Sequence, residues 1–213
     1  MTRNKQGIAI ISMFFFNIIG AFLLFFPELT EYVLSLTPFN ILLMGIMVFW
    51  ANNDRSFNFI KTATVVFFLG LVFEILGVNS KLIFGEYFYG KTLGYKIFNT
   101  PVIMGLNWVT LSIASYGIAS YVFKPTALIT VFASLIMVMT DYIIEPIAPL
   151  LDLWYWEGGS VPAQNYVAWF IISLVIQTLF VRAQIKINIK LSLALLFSQI
   201  LFFVIQFLNY GLF

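Results

Sequence analysis

Seven stretches of this chain run for about twenty residues each with almost no charge: roughly 7–27, 33–51, 61–79, 101–123, 125–146, 165–183 and 189–212. A helix needs about 20 apolar residues to cross the hydrocarbon core of a bilayer. Lipid offers no partner for backbone N–H and C=O groups, so such stretches take up helix. The pattern predicts an all-α integral membrane protein, a single bundle of about seven transmembrane helices over residues 1–213. The second stretch is the weakest, because Pro38 and Asn40 interrupt it. Pro101 and Pro125 open the fourth and fifth, where a missing N–H costs little. Composition agrees: with 62% hydrophobic and 9% charged residues, the chain cannot furnish a water-facing surface. The apolar run after the short basic start is too long for a signal peptide, and no small-x-small cleavage site follows, so it reads as a retained first helix.

Lysine and arginine set the expected orientation. With the N-terminus inside, the inner loops hold Arg3, Lys5, Arg55, Lys61, Lys124, Arg182, Lys186 and Lys190, against Lys81, Lys91 and Lys96 outside. The balance predicts N-inside and C-outside in a multi-pass protein of the plasma membrane. Two connections are too long for turns, and both fall on the outer side. Residues 80–100 alternate glycines with aromatics and leucine, a pattern for a non-helical cap or re-entrant hairpin between the third and fourth helices. Residues 147–164 contain "WYW", fit for the interface or a pocket rim.

The chain has no Cys and no His. That removes thiol chemistry, axial-His haem, almost all zinc sites and the usual near-neutral base. A net charge of +2 with no basic run gives no footing for nucleic acid. Any acid–base work falls to Asp, Glu, Lys or Tyr.

Ionisable residues inside a span are costly and are kept by partners or by function. Glu74 lies within the third span and Asp141 and Glu145 end the fifth; Asn107 is in the fourth and Asn165 opens the sixth. All five fall in the predicted outer half. Asp141 and Glu145 are four residues apart, so they share a helix face. Two carboxyls so close in a weakly polar site do not both ionise, and one keeps its proton near neutral pH. Glu145 beside Pro146 is either part of that pair or the last polar group before water. Gln177, Gln199 and Gln206 read as interhelical hydrogen bonds. Trp108, Trp154, Trp156 and Trp169 read as belt anchors or as pocket lining. The aromatic content of 19% fits packing and anchoring, or a large apolar ligand.

A protonated carboxyl, a second carboxyl, amides that hold water and aromatic walls suit proton-initiated chemistry on an alkene. The acid protonates a C=C bond, aromatic faces steady the cation, and a carboxylate directs water or removes a proton.

The segments "FEILGVNSKLIFGEYFYGKTLGYKIFNTPVIMGLNWV" (73–109) and "DYIIEPIAPLLDLWYWEGGSVPAQNYVAW" (141–169) resemble the membrane-integral carotenoid 1,2-hydratases of the CruF type. The matching positions are Glu74, Gly77, Gly85, Tyr87, Tyr89, Leu93, Gly94, Pro101 and Trp108, then Asp141, Glu145, Pro146, Trp154, Trp156, Pro162, Asn165 and Trp169. The stretch "EGGSVP" is shorter than its family counterpart, a departure that bears on substrate preference. The resemblance implies cofactor-independent hydration of the terminal C-1,2 double bond of an acyclic carotenoid ψ-end, of lycopene or γ-carotene type. It involves no metal, and its partners are membrane lipid and water. On that pattern Asp141 donates the proton and Glu74 or Glu145 orients the water. Asn107 and Asn165 support them; Tyr87, Tyr89, Trp108, Trp169, Trp154 and Trp156 line the substrate.

A carotenoid cyclase would use the same acid and cation. A proton-coupled transporter and a non-catalytic carotenoid-binding protein are the readings from other classes. A retinal pump needs a lysine in its last helix, and residues 191–213 contain none.

Overall fold

A computed structural model describes residues 2–212, with side chains from residue 4 onward. The long helices are α1 (Thr2–Leu23), α4 (Phe57–Ser80), α5 (Ile103–Val122), α6 (Thr126–Ile144), α7 (Ala163–Ala183) and α8 (Ile189–Asn209). Five are long and apolar enough to span a membrane: α4, α6, α7, α8 and the Asn4–Leu23 stretch of α1. The weak second stretch becomes two helices, α2 (Pro27–Ser35) and α3 (Thr37–Ala51), bent by 52° at Leu36 and together a sixth crossing or a re-entrant element. Pro38 explains the break, since it lacks the N–H that would continue the ladder.

The expected span 101–123 is helix α5, but it falls short of the others in apolar content. The reason is its position. It packs against α3, α4, α6, α7 and α8, so its solvent is protein rather than lipid. Its buried side includes Gly105, Ser112, Ala114, Ser115, Gly117 and Ala119. Small residues let helix backbones approach closely where lipid gives no hydrophobic drive for association.

Helix α4 shows how sequence sets the faces. Ser56 caps its start by accepting from Phe59 N–H at 3.2 Å. Val65, Phe68, Val72 and Leu76 are exposed, on the lipid side. Ala63, Val66, Gly70, Glu74 and Gly77 recur every three or four residues on the buried side. Gln177 and Gln206 do bond across helices, to Ser112 O at 3.3 Å and Ala21 O at 3.0 Å.

At one end of the bundle, loops 52–56 and 184–188 clasp each other. Asn52 donates to Lys186 O at 3.1 Å and accepts from Asn188 N–H at 3.3 Å, while Asp54 accepts from Lys186 N–H at 2.9 Å. At the other end the two long connections join in a cap. Strand β1 (Tyr87–Tyr89) pairs antiparallel with β4 (Trp154–Trp156), in the register Tyr87–Trp156, Phe88–Tyr155 and Tyr89–Trp154. Between them β2 (Lys96–Ile97) and β3 (Thr100–Pro101) form a hairpin turned by Phe98 and Asn99, both at positive φ. A two-residue turn of that kind matches the strand twist.

Candidate active site

The β1–β4 register decides which aromatic rings face the bundle. Strand side chains alternate between faces, so Tyr87, Tyr89, Trp154 and Trp156 turn inward, while Phe88 and Tyr155 stack outside with ring centroids 5.2 Å apart. Beneath them α4, α6 and α7 each bring a polar residue to the capped end. On α4, Gly70, Glu74 and Gly77 form one stripe. A methyl group at Gly70 would strike Trp108, and one at Gly77 would strike Phe84. The two glycines therefore admit the rings that flank Glu74.

Glu74 is 2% exposed and receives three donors. Tyr87 and Tyr89 hydroxyls reach Oε2 at 2.7 and 2.6 Å, and Trp108 Nε1 reaches Oε1 at 2.8 Å. Hydrogen bonds to a charged group contribute roughly 1.5–3 kcal/mol each, which offsets the cost of keeping a carboxylate away from water. Burial first, then the Glu74 carboxylate, pushes both tyrosine hydroxyls well above their ordinary range, so they remain donors. Trp108 stacks on Trp169 at 4.1 Å and 15°.

Glu145 is buried at 4% exposure, so it is not the last residue before water. Trp154 and Trp156 donate to its Oε2 at 3.0 and 2.7 Å. One nitrogen, Asn165 Nδ2, bridges the pair on α6: it lies 2.9 Å from Asp141 Oδ2 and 3.3 Å from Glu145 Oε1. Asp141 is 4% exposed, and among the described residues Asp141 Oδ1 has no hydrogen-bond partner.

These groups enclose one chamber. Glu74, Asp141, Glu145, Asn107, Asn165, Tyr87, Tyr89, Trp154, Trp156 and Trp169 all line it. Trp108 stands behind the wall, acting through Glu74 and Trp169. Ten of the eleven residues singled out in the sequence thus meet in one place, and the eleventh supports them. The indoles and phenols present N–H and O–H tips to the carboxylates as well as faces to the interior. Among the described residues, no Lys or Arg lines the chamber. Phe84, Met104, Leu111 and Ile144 complete the wall and were not foreseen. Only Phe84 carried a signal, lying beside Gly85 in the glycine–aromatic run.

The sequence model of a family described as carotenoid biosynthesis protein matches residues 35–213. This chain belongs to the carotenoid biosynthesis proteins. No curated protein and no solved structure matches it. Membership gives the chain a role in carotenoid biosynthesis and points to a carotenoid as its substrate.

For a carotenoid biosynthesis protein, the surroundings of the chamber matter as much as its acids. The chamber itself is narrow, about 30 Å³, room for a couple of water molecules. A wider groove of about 540 Å³ adjoins it and shares Glu145 and Trp156 as a common wall. Tyr142, Pro149, Tyr155, Val161 and Tyr166 line the groove, and its surface is mostly apolar. The exposed faces of α4, α6 and α7 around the site carry residues such as Phe68, Leu135 and Ile171, a surface suited to lipid.

Proposed function

We propose that this protein adds water across the terminal C-1,2 double bond of an acyclic carotenoid ψ-end. The observation that carries the proposal is three carboxyl groups converging on one buried, cation-free chamber, with Asp141 alone keeping an uncommitted oxygen. The polyene arm lies in the apolar groove and its branched end reaches past Trp156 to the acids.

Asp141 Oδ1 delivers a proton to C-2, leaving a tertiary cation at C-1. Glu74, held by Tyr87, Tyr89 and Trp108, is the fixed negative group facing that cation. Trp169 and the inward tyrosines supply ring faces. Glu145 Oε1, which has only the long bond from Asn165, is the better placed of the two remaining carboxyls to orient water. Water oxygen bonds to C-1, its surplus proton returns to the carboxyl pair, and Asp141 is restored. Atoms balance as one carotenoid plus one water, with no redox change and no cofactor in the step.

The test is expression in a bacterium that makes lycopene or γ-carotene, followed by mass spectrometry of the pigments. Hydration raises the product mass by one water. A product of unchanged mass with a new ring identifies a cyclase on the same chamber. Unaltered pigment across several acyclic substrates, with well-expressed protein, overturns the enzyme reading.

A further inference from the structure

A second cavity adjoins the acid chamber through walls that the groove does not share. It measures about 90 Å³ and is lined in part by Asn17, Thr37, Asn40, Asn107 and Gln199, drawn from α1, α3, α5 and α8. Asn107, Met104, Ile144 and Trp154 are walls of both this cavity and the acid chamber. An amide in the path of lipid is costly unless it is partnered. Part of this set is partnered: Asn17 donates to Met13 O at 2.9 Å and Ser198 Oγ at 3.2 Å, and accepts from Asn40 at 3.2 Å. The side-chain amides of Asn107 and Gln199 make no hydrogen bond among the described residues, and both face the cavity.

The break between α2 and α3 is a second, independent sign. Thr37 begins α3 without a side-chain cap, and it lines this same cavity. Broken helix at membrane depth is tolerated where it is buried in protein or lines a water-filled space. With five polar side chains in an otherwise mostly apolar lining, the cavity has room for water, which needs about 10–15 Å³ and two to four polar partners.

We propose that this amide-lined cavity is the water store of the reaction, and that it supplies the acid chamber past Asn107. The inference rests on the hydratase reading above. Its chemistry is a partition. The tertiary cation at C-1 is either captured by water, giving the alcohol, or loses a proton from a neighbouring carbon to a carboxylate, giving a shifted double bond. Polyene arrives from the groove at Trp156 and water from the amide-lined cavity at Trp154 and Asn107, so the two supplies reach the cation through different walls of the chamber.

Thr37→Val and Gln199→Leu, singly and together, test it in pigment-producing cells. Expected is a fall of at least tenfold in the ratio of hydrated to double-bond-shifted product in the double variant, with total conversion within about threefold of wild type. An unchanged ratio in a well-expressed double variant overturns the water store while leaving hydratase activity standing. A wild-type chain that hydrates nothing removes the reaction itself, a different failure.

Because the chain has no native cysteine, a second measurement is free of activity. Gln199→Cys is compared with Phe197→Cys, whose native side chain is exposed on the lipid side. Only thiolate reacts, and thiolate needs water. In membranes, dilute hydrogen peroxide should oxidise the Gln199→Cys protein at least ten times faster. Equal rates overturn the proposal whatever the product ratios show.

Discussion

At the end of the bundle away from the cap, Asp54 is half-buried and binds backbone N–H groups of Lys186 and Ser56, both at 2.9 Å. At the capped end, Glu74 is 2% exposed and binds only side-chain donors. Both are carboxylates that join distant segments. They differ in what they cost. A carboxylate near water keeps most of its solvation, and its loss is a small matter. A buried one has surrendered solvation and depends on every donor around it. A chain that needed only to tie loops together would use the first arrangement. The second is what a site for charged intermediates requires.

That contrast breaks in a definite order. The largest effect belongs to Asp141→Asn, which keeps the bridge to Asn165 but removes the acid. The hydrated product should fall by about 10²–10⁴-fold, the range for a positioned general acid, while the purified protein still retains pigment. Full activity in that variant would remove Asp141 from the mechanism. Next is Glu74→Leu, which leaves two phenols and an indole N–H without an acceptor. Breaking a buried charged network costs about 3–5 kcal/mol, and a melting curve in detergent should show a large drop.

Gly77→Ala comes third. It places a methyl against the Phe84 ring, and overpacking of this kind costs about 1–3 kcal/mol. An unshifted melting temperature would mean that Phe84 moves aside freely and that the glycine stripe is not what shapes the chamber. Asp54→Ala comes last, with at most about 1 kcal/mol lost and product yield unchanged. Slight burial raises the Asp54 carboxyl, but hydrogen bonds from Lys186 and Ser56 and the Lys186 charge outweigh it and hold it below its ordinary range. Its contribution is therefore present above the unfolded value near 4 and is lost as pH falls through the lower folded value. Acidifying wild type from pH 6 to pH 3 should cost more stability than acidifying Asp54→Ala.

Much of the fold was legible because lipid leaves few options for twenty apolar residues. The weak second stretch was legible too, since Pro38 marked the break that became the 52° bend. The central place of α5 was not, because the stretch 101–123 read as one more lipid-facing span until the five helices around it are known. The carboxyls and amides of the site stood out one by one against apolar neighbours. Their partners did not. "YFY" and "WYW" each alternate like a strand, but nothing local says that they pair with each other. The burial of Glu145 follows from that pairing, which brings two indoles over a residue that its own neighbours leave open to water.

The same pairing sets an order of events. Strand β1 is synthesised before α5 and α6, and β4 after them. A chain inserted only as far as α5 holds Glu74 but has neither Asp141 nor a roof. The carboxyl groups ride on helices made before β4, and the roof over them closes only when β4 pairs with β1. The β1–β4 seam thus makes the roof of the site a late addition, formed after the helices that carry its carboxyl groups.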